Sequence, residues 1–135
     1  MMTPEQILGK MLQNDAFSQW LGLKIDHIRE GGCRLHYTIR RDMLNGFGTV
    51  HGGILFAAAD SCFAFACNSH GRLSVALDVS ITFTKAAKEG DTLFVEAKEV
   101  HLGNKTSVYD ILTTNEKGEI VAIFKGTAYR TEKEI

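Results

Sequence analysis

The chain lacks any apolar stretch long enough to cross a bilayer. Its longest, Ile54 to Cys67, runs for about 14 residues and is interrupted by Asp60 and Ser61, whereas a spanning helix needs about 20. Charge of one sign is also missing: 15 Lys and Arg stand against 16 Asp and Glu, which gives no electrostatic footprint for nucleic acid. Cysteine is scarce. Cys33, Cys62 and Cys67 form no Cys-x-x-Cys pair, and Cys62 and Cys67 lie five apart on what reads as one helix, so they do not face each other as a bridge requires. Buried, reduced thiols are expected instead. The histidines His27, His36, His51, His70 and His101 are scattered, without the short spacing of a metal site. No phosphate-cradling or nucleophile-elbow glycine motif occurs. The opening MMTPEQILGKMLQ has no basic start, apolar core or cleavage site of a secretory signal. A soluble, cytoplasmic protein is expected, with no metal, cofactor, nucleic acid or membrane partner.

What is present fits one globular domain over residues 1–135, since 44% hydrophobic and 23% charged residues are ordinary for a packed core. Thr3-Pro4-Glu5-Gln6 reads as a capping box with Pro in the first turn. Ile7, Leu8, Met11 and Leu12 recur at helical spacing, predicting a short helix to about residue 19, broken by Gly22. Two alternating strands follow between Leu23 and Arg40, with Gly31-Gly32 as their turn. The segment from Gly52 to about Asn68 is apolar nearly all round, the pattern of a buried helix. Four alternating segments come next, at about Leu73–Thr84, Thr92–Leu102, Thr106–Asn115 and Ile120–Arg130. They read as a meander joined by turn residues. The prediction is an α+β fold in which a long antiparallel sheet wraps one central buried helix.

The stretch Asn45-Gly46-Phe47-Gly48-Thr49-Val50-His51-Gly52-Gly53 immediately precedes that helix. A helix start leaves backbone N–H groups unpaired and carries partial positive charge. Glycine there lets a ligand atom approach the amides, which suits a carbonyl oxygen gaining charge in acyl transfer. Asp60 is the one carboxylate between Gly52 and Cys67, set among Ala57, Ala58, Ala59, Phe63 and Phe65. Burying a carboxylate without a partner costs free energy, so a bare Asp here points to a role, and its raised basicity suits a general base or nucleophile. The eight residues from Gly52 to Asp60 span about 12 Å of helix, too far to serve one carbon within one chain. Both act on one reaction only if two chains pair their helices antiparallel, so an obligate dimer with composite sites is expected.

At these residues a resemblance enters. The run NGFGTVHGGILFAAADSCFAFACNSHG resembles the signature of the PaaI-type thioesterases of the hot-dog superfamily, and KTSVYDILTTNEKGEIVAIFKGTAYR resembles that family's last two strands. The likeness spans roughly residues 15 to 130. It implies an acyl-CoA thioesterase needing no metal or organic cofactor, commonly a tetramer of two dimers. It further implies that the Gly52 amide polarises the thioester carbonyl and that Asp60 of the facing subunit is base or nucleophile. Asn45 would position water or thioester, and His51 would support the loop. Some relatives place Ser or Thr on the strand after the helix; here Ala76 falls there, with Ser74 two residues away. Gly53, Phe47, Phe56 and Phe63 are candidates for the acyl slot, which could suit an aryl or phenylacetyl-type group. Lys85, Lys88, Lys105 and Arg130 are candidates for the CoA phosphates. An acyl hydratase or dehydratase on the same fold, or a non-catalytic acyl-CoA sensor, are the alternatives.

Overall fold

A computed structural model describes all 135 residues. Two short helices, α1 (Pro4–Gln13) and α2 (Ala16–Leu21), precede strands β1 (Lys24–Arg29) and β2 (Gly32–Thr38). The long helix α3 (Gly52–Asn68) follows, then β3 (Arg72–Phe83), β4 (Thr92–Leu102), β5 (Thr106–Thr114) and β6 (Ile120–Glu134). All six strands form one antiparallel sheet in the order β1-β2-β4-β5-β6-β3.

The N-terminal capping box forms as expected: the Thr3 hydroxyl accepts from the Gln6 N–H at 3.2 Å, and the Gln6 side chain accepts from the Thr3 N–H at 2.8 Å. The single helix expected to about residue 19 is two. Asn14 ends the first, and the Asp15 carboxylate caps the second by accepting from the Ser18 N–H at 3.0 Å. Asp is a strong N-cap residue, so it restarts a helix the apolar spacing would have carried straight through. Gly22, at φ 73°, closes α2 in the left-handed conformation that favours glycine.

The buried stripe of α3 is Leu55, Ala58, Ala59, Cys62, Phe63 and Ala66, spaced by three and four residues against the sheet. The opposite face is not fully covered: Phe56, Ala57, Asp60 and Ala64 are half-buried. The small residues let the helix sit close to the strands. Beneath Phe63 the sheet has Gly126, where a Cβ would stand 2.8 Å from the ring. That ring also packs edge-on to Tyr109, centroids 5.8 Å apart, and 5.9 Å from Phe124.

The order of the last four strands departs from the expected meander. Strands β4, β5 and β6 do run consecutively, but β3 lies beyond β6 at an open edge. Alternation reports which face a side chain takes and not which strand is its neighbour. To reach β4 from that edge, residues 84–91 cross one end of the sheet, where the Ala87 carbonyl accepts from the Val50 N–H at 2.8 Å and the Gly90 N–H donates to Ile39 at 2.8 Å. The crossover therefore runs past the first turn of α3. At the other end of α3, the Asn68 side chain exchanges two hydrogen bonds with the Ser74 backbone, at 2.8 and 3.1 Å. Beside it, Glu99 Oε2 takes bonds from Tyr109 and His70, both at 2.6 Å.

Candidate active site

The segment before α3 is a tight loop locked at both ends. An isolated bridge joins Leu44 to Val50, and the Asn45 N–H donates to the Thr49 carbonyl at 2.8 Å. The Asn45 side-chain oxygen accepts from the N–H groups of Phe47 (2.9 Å) and Thr49 (3.2 Å), while its NH2 donates to Thr49 Oγ1 at 3.1 Å. Asn45 thus spends its amide on holding the loop. Phe47, at the tip, is 94% exposed.

His51 is the N-cap of α3. Its backbone N–H donates to Met43 at 2.8 Å, and its Nδ1 accepts from the Gly53 N–H at 2.8 Å. With Gly53 occupied and Ile54 bonded to the His51 carbonyl at 2.9 Å, the Gly52 N–H is the free donor of the turn. The helix dipole adds its positive end at the same place. The Phe83 ring edge lies over it, 3.2 Å from where a Gly52 Cβ would stand. Any side chain at position 52 would press on that ring. A cavity of about 370 Å³ opens here, bounded by Val50, Leu55 and Phe83 on its apolar side and by Thr84, Lys85 and Ala86 of the crossover.

Asp60 sits on the half-covered face of α3 and makes no hydrogen bond or ion pair within the chain; burial pushes its carboxyl above the usual aspartate value. A raised carboxyl is a better proton acceptor near neutral pH than an ordinary one. The thiols are poor rivals as nucleophiles. Burial pushes Cys67 up to about 12 and Cys62 well above its ordinary value, so neither is a thiolate at neutral pH.

Within one protomer the remaining expected residues are dispersed. Phe56 flanks the site half-buried, its ring 5.5 Å from Phe124, whereas Phe63 is 1% exposed and belongs to the core. Ser74 is buried at the far end of α3 with its hydroxyl on the Arg72 carbonyl at 3.1 Å, and Ala76 is exposed on the β3 edge. Lys85 pairs with Glu119 at 3.5 Å and lies between the site and a polar cleft of about 590 Å³ that also takes in Lys88 and Lys117. That cleft holds Asp91, Glu116 and Glu119 as well and contains neither Asp60 nor the helix start. Phe83 went unnoticed in the sequence. It reads only as the end of an alternating strand, and the crossover that brings it to Gly52 leaves no local signal.

A sheet wrapped on one helix whose first amide faces a cavity, with an unpaired carboxylate further along, defines a hot-dog thioester hydrolase. The comparisons agree. The family model described as Thioesterase superfamily matches residues 47–122, and the chain belongs to that family. It is 42% identical over 120 residues to the acyl-coenzyme A thioesterase PaaI of Escherichia coli K12, covering 89% of this chain and 86% of that one. The solved E. coli PaaI structure, from the phenylacetic acid degradation operon, superposes with a TM-score of 0.95 at 39% identity over 98% of this chain and 96% of that chain. The Streptococcus mutans protein smu.793, solved bound to acetyl CoA, matches with a TM-score of 0.81 at 30% identity, covering 84% of this chain and 91% of that one.

Proposed function

We propose that this protein hydrolyses acyl-CoA thioesters at composite sites between two subunits, and that the acyl group is of aryl or phenylacetyl type. One observation carries the reading: the unpartnered Gly52 N–H faces a cavity, while an unpaired, half-buried Asp60 lies eight residues further along the same helix. Bound acetyl CoA in smu.793 and the operon of the E. coli PaaI protein support the substrate class.

In the proposed reaction, the thioester carbonyl oxygen takes the Gly52 N–H. Asp60 of the partner subunit removes a proton from water as the water oxygen attacks the carbonyl carbon. The tetrahedral oxyanion rests on the same amide; as it collapses the C–S bond breaks, the leaving CoA thiolate takes the proton held by Asp60, and the free acid leaves. Direct attack by the carboxylate, with an anhydride hydrolysed afterwards, uses the same two groups. His51 keeps the Gly53 amide engaged, which leaves Gly52 as the donor. Asn45 keeps the loop in shape and Phe47 reaches outward toward the second subunit. Ala76 offers no hydroxyl to steer water, which puts the proton transfer on Asp60. Lys85 and Lys88, on the crossover, are placed to meet the CoA phosphates.

Support for pairing comes from β3. This open-edge strand of 12 residues exposes Leu73, Val75, Leu77 and Phe83, and an exposed apolar edge invites another strand. Edge-to-edge pairing of two β3 strands would set the uncovered α3 faces, with Ala57, Asp60 and Ala64, side by side. Leu112, Ile123 and Tyr129, exposed on the outer sheet face, suit the stacking of two such dimers into a homotetramer. A cytoplasmic location suits three free thiols. A thiol-release assay across a panel of acyl-CoA esters tests the reaction, and absence of turnover on every member would overturn it.

A further inference from the structure

A second cavity flanks the first turn of α3. It measures about 320 Å³ and is walled by Phe17, Met43, Leu44 and Ile54, with His51 and Gly53 of the helix start also lining it. It shares no wall residue with the Gly52 cavity, yet residues 51–53 lie between the two. A thioester held at Gly52 therefore has one cavity for each of its arms. Lys85 marks the first as the side from which a phosphorylated arm would come. Apart from Asp42 the second offers no charged side chain.

Its outer wall is built with unusual care for a surface feature. Phe17 and Trp20 are 54% and 44% exposed, and their rings stack at 6.0 Å with an interplanar angle of 8°. The Arg40 guanidinium lies over the Trp20 ring at 4.8 Å from its centroid, and Asp42 holds that guanidinium at 3.1 Å. The six-residue helix that bears both rings is capped by Asp15 and fastened to α3 by the Ser18–Ser61 hydroxyl pair at 2.8 Å. Scattered exposed aromatics need no explanation. Phe17 lines the cavity with its ring backed by Trp20, which a cation braces in turn, and so forms a preorganised aromatic shelf. An acyl ring stacked offset against such a shelf gains more than its area burial alone would give.

We infer that the Phe17 shelf is the acyl-end subsite and sets the preference for aromatic over small acyl groups. This rests on the thioesterase reading and adds a specificity determinant to it. The competing occupant is the pantetheine arm of CoA.

The test compares parent, Phe17→Ala and Phe17→Leu, measuring kcat/KM for phenylacetyl-CoA and for acetyl-CoA together with inhibition by free CoA. The expected result is a fall of about 10- to 100-fold in the phenylacetyl-to-acetyl ratio of kcat/KM for Phe17→Ala. The Leu variant, which keeps apolar bulk without the ring, should fall between, and the CoA inhibition constant should not move. A preserved ratio in both variants overturns the inference while leaving the thioesterase reading intact, as does a weakened CoA inhibition that places the pantetheine arm on the shelf. If the parent turns over no acyl-CoA, the reading beneath fails and the shelf's role falls with it.

Discussion

Asp60 follows Gly52 by eight residues on one unbroken helix, and the two have complementary unmet needs: a carboxylate without a donor and an amide without an acceptor. About 12 Å of helix separates them, so neither can meet the other's need in one protomer. A pair of antiparallel helices removes the conflict. Asp60→Asn should lower kcat by about 10²- to 10⁴-fold, with KM much less affected; thiol release at parental rates would take Asp60 out of the mechanism.

Complementation gives a sharper test of the shared site. Gly52→Pro deletes the amide donor at the first helical position, where the proline backbone fits although its ring presses on Phe83. Mixed with Asp60→Asn under conditions that exchange subunits, each hybrid dimer would hold one site with both groups intact and one with both lost. With equal amounts exchanged at random, half the dimers are hybrids with one working site of two, so activity should rise from near zero toward about a quarter of the unsubstituted enzyme's. Two inactive proteins that stay inactive after exchange, with circular dichroism showing both folded, would place both groups in one subunit's own site.

Acid sensitivity should separate the two unusual carboxylates. At Asp60, burial favours the protonated form in the folded state. Its destabilising effect is therefore absent below the ordinary aspartate value and grows as pH rises through that value toward the raised one. Asp60→Asn should melt higher than the parent near neutral pH, and the margin should close in acid. Equal melting temperatures across that range would show the carboxylate to be well solvated. In activity the same shift moves the acid limb of the rate profile upward from an ordinary carboxylate.

Glu99 behaves in the opposite sense. Burial alone would raise it, but the hydrogen bonds from Tyr109 and His70, with the charges of His70 and Arg130, outweigh burial and hold it below the usual glutamate value. A lowered carboxyl stabilises the fold above its unfolded value, and that contribution is lost as pH falls through the folded value. Glu99→Gln should cost about 1–3 kcal/mol near neutral pH, measured by denaturant unfolding. A cost that persists undiminished well below the glutamate range would assign the effect to packing and not to charge.

At Gly126 even one methyl group is too much. The Cβ of Gly126→Ala would stand 2.8 Å from the Phe63 ring, forcing the ring or the strand to move. Overpacking of this kind costs about 1–3 kcal/mol, and a Phe63→Leu change in the same chain should recover part of it. An alanine variant as stable as the parent would mean that the helix can ride up off the sheet freely.

How far these relations could be read from the sequence depends on their range along the chain. The Thr3 capping box, the buried helix from Gly52 and the glycine-rich approach to it are local, and all three stand where the spacing put them. Asp15 restarting a helix was equally local but was masked by the apolar rhythm of the flanking turns. The pairing of β3 with β6, and with it the placing of Phe83 over Gly52, depends on which strand finds which, and side-chain alternation carries no record of that. Phe17 stands in the sequence only as one more apolar residue of the N-terminal helical stretch; only folding shows that it lines the cavity beside the residue 51–53 turn.

The open β3 edge ties solubility to chemistry. On the proposed composite site, a lone chain would carry a sticky, unmatched border and half of each reaction centre, so a substitution that blocks β3 pairing would cost function and colloidal behaviour together.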